Sequence, residues 1–363
     1  LARLKWDQTV DLDVKVNGFV HIRHAGELDG TGTWPDAIDL VPAVPGNSTE
    51  AIVPLLEGEI LVKFEDDLGN KSVNATSVLV DFPDALGPLL VKAQREDAES
   101  PPFNGTFTDC FYDLELDALT IDLAIKFDSL APDGNFDGIT QLIDSIGETS
   151  PSATYQFENA LDLGSTFALD LKRRFVTRGY FPDAFIDSRV GLIDTWTDFD
   201  GGEPDAVNAK IYLRSTNDDP ASGTATFSDW KEFVNGTFKG RGFEFKTVMT
   251  TADPAQNILV DVLGYIATFQ LRIENAGPID SGTSTNTVTF NNPFFTGASG
   301  TIGGENKYPP SVGVMVNNLG AGEVVKISNV TSTTFDIDIL ASDGSNVDRE
   351  FHYSAAGYGK GGL

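Results

Sequence analysis

Oxygen-bearing side chains gather at two places in this chain with spacing that bears on chemistry. Asp133, Asn135, Asp137 and Asp144 fall at positions one, three, five and twelve of a loop whose sixth residue is Gly138. That is the donor pattern of a calcium loop: alternate residues of a tight loop converge on its centre, and the glycine allows the sharp turn between them. The pattern departs from the usual one where Asp144 replaces a longer Glu and Thr140 stands in place of an apolar residue. No helix is predicted to enter it, so a plain acidic turn stands beside calcium as a reading. The second cluster is Asp198, Asp200, Glu203 and Asp205. Closeness along a loop does not set the separation across a cleft that a pair of glycosidase carboxylates needs. The choice there is between a solvated loop and a metal site, and no residue stands out as a general acid.

Other chemistry is thinly supplied. The chain has one cysteine, Cys110, and three histidines, His21, His24 and His352. One thiol forms no intrachain disulfide, and this set furnishes neither a zinc site nor a Cys–His nucleophile pair. Cys110 is expected to be a buried structural thiol, and the histidines satisfied residues of strands. No Gly-rich phosphate loop, nucleophile elbow or metalloprotease helix occurs. Binding rather than catalysis is the expectation, with no cofactor other than the candidate calcium ion.

Charge narrows the partners. Acidic residues number 54 against 25 Lys and Arg, a formal net charge of −29. Such a surface repels phosphates, which argues against nucleic acid. The acidity runs along the whole chain and reads either as a device for solubility or as adaptation to a salty medium, where screening tolerates dense like charge. No run of eighteen apolar residues appears, so no membrane-spanning helix is expected. The chain opens Leu1-Ala2-Arg3 without Met, which reads as part of a longer polypeptide.

The elements that must position these residues are strands. Short runs rich in Val, Ile, Phe and Thr alternate with polar residues and are separated by Gly, Pro, Asn and Asp, the pattern of antiparallel sheets. One short helix is predicted, over 139–146. Residues 1–88 read as a small sandwich. Residues 82–105, which contain Pro and acidic residues, read as a linker followed by the first strand of the next domain, and residues 89–275 read as a jelly-roll-like sandwich. Residues 276–363 read as a small C-terminal β-sandwich whose Gly-rich edges need support from neighbours. The expected fold is therefore all-β. Three Asn-X-Thr sequons, at Asn74, Asn104 and Asn235, are read as coincidences of pattern.

Specific runs sharpen this reading. Trp6, Gly18-Phe19-Val20-His21-Ile22-Arg23, the run from Leu56 to Phe64 and Gly69-Asn70-Lys71-Ser72 together resemble a fibronectin type III domain of the kind found in phage tail-tip proteins. Tyr155-Gln156-Phe157 with Leu161-Asp162-Leu163-Gly164, then Trp230-Lys231-Glu232-Phe233 and Arg241-Gly242-Phe243-Glu244-Phe245, resemble the region that follows such domains in J-like host-specificity proteins of long-tailed phages. Phe351-His352-Tyr353-Ser354 through Lys360 is similar to the end of the same proteins. The resemblance implies a homotrimer at the distal end of the virion tail. Its implied partners are other tail-tip proteins and a host surface receptor, protein or polysaccharide. It is weakest over 276–310, where receptor choice would diverge. Phe294, Phe295 and Tyr308, with Trp196 and Phe199 on an aromatic loop, are accordingly the expected receptor-contact residues. The rival expectations are accessory binding modules of a secreted carbohydrate-active enzyme and a purely structural tail component.

Overall fold

Alternation of apolar and polar residues becomes alternation of burial along strands such as Ser152–Gln156, Val207–Thr216 and Glu350–Tyr358. In the computed structural model of the chain the described residues are 1–26, 30–81, 95–98, 103–123, 149–182, 203–297 and 308–361. Strands account for 55% of the residues and helix for 2%, so the chain is all-β, built of antiparallel sheets in sandwich-like units. Along Val207–Thr216 every second side chain is buried from Val207 to Leu213, as expected when one face of a strand lines a core.

The first unit packs a two-stranded sheet, Ala2–Lys5 with Glu50–Val53, against a five-stranded sheet. The larger sheet is ordered Ile38–Asp39, Phe19–Ala25, Gly58–Glu65, Thr76–Val80, and Val44–Pro45 also pairs with Phe19–Ala25. Val20, Ile22, Val53, Leu56 and Ile60 fill the space between the two sheets. One helix departs from the sequence expectation. Leu12–Asn17 is helical, away from the helix expected over 139–146. Asp11 caps it by accepting from Asp13 N–H at 3.1 Å, and Val14 is its one buried residue. The helix predicted over 139–146 lies outside the described residues.

The central unit is an eleven-stranded sheet that curls nearly closed. Its spine is three long neighbours, Leu161–Tyr180 between Gly236–Thr251 and Asn257–Thr268, and Val207–Thr216 pairs with Gly236–Thr251. Their inward faces enclose a continuous aromatic core that includes Tyr155, Phe167, Phe175, Phe243, Phe245, Tyr265 and Phe269. Cys110 is buried beside it, its thiol donating to Thr154 O at 3.3 Å. Burial pushes that thiol up to about 11, leaving it protonated and inert.

The distal unit is two three-stranded sheets face to face. One is ordered Leu271–Asp280, Glu350–Tyr358, Ser311–Val316; the other is ordered Asn286–Thr289, Thr334–Leu340, Val324–Ser328. This unit begins at Leu271, earlier than the boundary read at 276, because Leu271 already pairs with Tyr358. The chain then re-enters the central sheet, where Lys360 and Gly361 pair with Ala168 and Phe167. The Gly-rich end has a positional reason. A Cβ on Gly357 would stand 2.6 Å from the Phe294 ring, and one on Gly359 2.7 Å from the Phe167 ring. Gly359 also has φ +86°, a region L side chains rarely adopt.

Candidate functional site

The aromatic residues expected at a receptor surface divide three ways. Trp196 and Phe199 lie outside the described residues, as do Asp133, Asn135, Asp137 and Asp144 of the calcium-loop reading. Phe294 and Phe295 are each 1% exposed, so neither ring has a free face, and their expected role as contact residues is corrected. Consecutive residues of an extended segment point to opposite sides, and these two use that property to join two cores. Phe294 enters the distal core, where it meets Phe290 edge-on at 4.9 Å and carries the Arg272 guanidinium 3.8 Å above its ring. Phe295 enters the central core, stacked on Phe269 at 4.0 Å and 7° and edge-on to Phe167 at 5.8 Å. Tyr308 is half-buried, its ring edge-on to Tyr358 at 5.7 Å.

The Trp230 segment is also engaged within the fold. Tyr212 and Arg214 lie opposite Lys246 and Glu244 on the outer face of the central sheet. The Trp230 ring lies 4.6 Å from both the Arg214 guanidinium and the Lys246 ammonium, and the Phe227 ring lies 4.7 Å from the Arg214 guanidinium. Alternating cations and rings of this kind hold the loop to the sheet. Of the second acidic cluster, Glu203 and Asp205 are described. They pair with Lys63 and Lys71 of the first unit, which makes them partners across a seam rather than residues of a solvated loop.

Among the described residues, two surfaces offer room for a partner or ligand. One is the outer face of the distal unit's first sheet. Asn275, Gly277, Gly313, Met315, His352 and Ser354 border a hollow of about 570 Å³ there. Small residues form its floor, while Met315 and Ile273 stand 71% and 60% exposed on the same face. The other is a cavity of about 440 Å³ where the first unit meets the central sheet, with His24, Glu57, Lys172, Arg173, Arg174 and Asn235 among its lining. Its one clear sequence signal went unread: three consecutive cations, Lys172-Arg173-Arg174, interrupt an alternating strand of a strongly acidic chain. The described residues contain no cluster of three or more metal-ligating side chains, and no described helix is long and apolar enough to cross a membrane.

Electrostatics in this cavity fix the state of His24. Its Nε2 lies 2.8 Å from Glu57 O, a pure acceptor, so Nε2 carries the proton and Nδ1 is free to accept from Arg173 Nη2 at 3.3 Å. Burial, aided by the Arg173 charge and opposed by the bond to Glu57, depresses its pKa from 6.5 to about 4. The unfolded chain therefore takes up this proton as pH falls through 6.5, while the folded chain resists until about 4. The contribution is complete above pH 6.5, is lost on the way down to pH 4, and amounts to about 3 kcal/mol. Glu57, Lys172 and Arg173 face the same space, so the measurement is a comparison. Urea midpoints at pH 7.5 and 4.5 should differ markedly less in His24→Gln than in the wild type. An equal difference in both proteins would remove His24 from the account.

No known protein-family model matches the chain, and no curated protein matches it in sequence.

Proposed function

We propose that the chain is a non-catalytic, host-contacting part of a tail-tip or central-fibre protein of a long-tailed phage. It would act as a homotrimer at the distal end of the virion tail, beside other tail-tip proteins. The observation that carries this reading is the open face of the distal unit, where exposed Met315 borders a floor of Gly277, Gly313 and Ser354 and Ile273 stands exposed on the same face. An apolar rim left open in a chain of net charge −29 suits partner contact better than solubility. The unit bearing it is anchored to the central sheet through Phe295 and the returning strand at Lys360–Gly361, so a load on the face passes into the central sheet. The order of motifs along the chain supports the same reading. Three copies presenting such faces would convert weak single contacts with a surface protein or polysaccharide into durable attachment through effective concentration.

Competition for host cells tests this. The purified chain, added before the phage, should reduce adsorption. Met315→Glu should abolish that block while shifting stability by no more than about 0.5 kcal/mol, as expected of an exposed position. Undiminished adsorption at saturating chain would leave a purely structural component. Cleavage of host surface polysaccharide by the chain would instead favour the enzyme-associated reading.

A further inference from the structure

We propose that the cavity between the first unit and the central sheet binds a small oxyanion, a carboxylate, sulfate or phosphate group, with Arg173 as its principal ligand and Lys172 as a second cation at its edge. This goes beyond surface attachment and does not depend on it.

Arg173 lacks the close ion pair that other arginines of the chain make, and Glu232 acts on it only through space. Arg178, Arg214, Arg241 and Arg349 each meet a carboxylate at 3.1 Å or less, as an acidic chain readily permits. Arg173 has no carboxylate within ion-pairing distance among the described residues. Its Nη2 donates to neutral His24, Nη1 makes no hydrogen bond with a described residue, and Nε is sealed from solvent without a partner. The residue shares the alternating register of Leu171 and Phe175, both in the central core. Arg173 itself is only partly buried, and with Glu232 its one compensating charge and no ion pair, a bound negative charge would lower the cost of holding its guanidinium there. Burial has already lowered its pKa to about 10, a mark of that cost.

The surroundings suit an anion. Among the described residues the lining carries Lys172, Arg173 and Arg174 against one carboxylate, Glu57; Glu57 is held by Lys172 at 2.7 Å and Arg174 is engaged elsewhere, which leaves Arg173 as the cation facing the space. Phe175, Val262 and Ile266 supply apolar wall. In such a setting a guanidinium–oxyanion hydrogen bond is screened less than in water and is stronger than a neutral one. The cavity volume accommodates a free inorganic ion or a single acidic sugar unit, which share this chemistry.

Calorimetric titration and thermal unfolding of the whole chain separate the sources. Sodium sulfate, sodium phosphate and sodium glucuronate are each compared with sodium chloride at equal ionic strength. A saturable rise in Tm and a binding isotherm are expected with at least one of the three. Response to sulfate or phosphate identifies a free ion, and response to glucuronate alone identifies an acidic sugar. Affinity should fall about tenfold or more in Arg173→Gln, the loss expected for a charge-assisted hydrogen bond. Should that variant fail to fold, Lys172→Met, at a half-exposed position, carries the test, and a several-fold loss is expected. Wild-type affinity in the variants overturns the proposal. So does a rise in Tm that never saturates and is the same in every variant, since excluded salts produce that without a site.

Discussion

Replacing Phe295 by alanine is expected to destabilise the chain by about 3–5 kcal/mol, the range for deleting a buried aromatic ring. Three features place Phe295 at the upper end of tolerance for loss. It is 1% exposed, it stacks on Phe269 at 4.0 Å, and it meets Phe167 edge-on. The ring comes from the distal unit's chain but lies in the central core, so its loss opens a void where the two units join. Relaxation into that void is hindered, because the flanking backbone is tied by Phe295 N–H to Tyr358 O at 2.8 Å and Gly359 N–H to Gln270 O at 3.0 Å. Urea unfolding followed by near-UV circular dichroism measures the loss. Met315→Ala, on the open face of the same unit, should change stability by no more than about 0.5 kcal/mol. A Phe295→Ala loss below about 1 kcal/mol would mean that the ring is not part of the joint. The pair also separates two ways of losing attachment: Phe295→Ala would act through folding, Met315→Glu through contact.

Much of the architecture is legible in the residues, and what is not has a definable cause. Period-two alternation marks Val207–Thr216 and Glu350–Tyr358 as strands, because one face of each is the more buried and the pattern records it. Alternation does not say which of two cores a side chain enters. Phe294 and Phe295 read as an exposed aromatic pair beside Asn291-Asn292-Pro293, yet the backbone sends one ring each way into separate cores. The helix Leu12–Asn17 was missed because its six residues bury only Val14, too little to leave a 3.6-residue period. Glu203 and Asp205 read as loop carboxylates because their cationic partners, Lys63 and Lys71, are more than 130 residues away. Arg173 was open to discovery, since a cation in step with Leu171 and Phe175 breaks the strand's own pattern. The hollow on the distal sheet was not, since small residues at Gly277, Gly313 and Ser354 form a floor only once three strands are placed side by side.

Arg23→Met is expected to cost about 3–5 kcal/mol, the range for removing one member of a buried ionic arrangement. Arg23 lies on the face of the first unit's larger sheet that is turned to the central unit and is 2% exposed. Its guanidinium donates to Trp34 O at 3.0 Å and Val207 O at 2.7 Å, tying two segments 173 residues apart. Its carbon centre also lies 5.3 Å from the centroid of the Trp34 ring, and the Lys63 ammonium lies 5.2 Å from the same ring. Burial lowers the Arg23 pKa, opposed by Asp39, Asp205 and Glu203, so the charge is held in place by acids around it. Asp205 is ionised for the converse reason: burial opposes its charge, but Lys71, Trp34 Nε1–H and Arg23 together outweigh burial and lower its pKa. Methionine preserves much of the volume and removes every donor. Two buried carbonyls then lose their partners, at about 1–3 kcal/mol each, and the acids lose a cation. Lysine should not rescue, because one ammonium cannot reproduce the planar fork that serves both carbonyls. If the seam is polar in its energetics as well as its composition, Arg23→Met and Arg23→Lys will both lower the urea midpoint, and Lys71→Met, at a third-exposed pair, will do so by less than about 1 kcal/mol. Equal, small effects at all three would mean that apolar contact around Trp34 and Ala37 carries the joint instead.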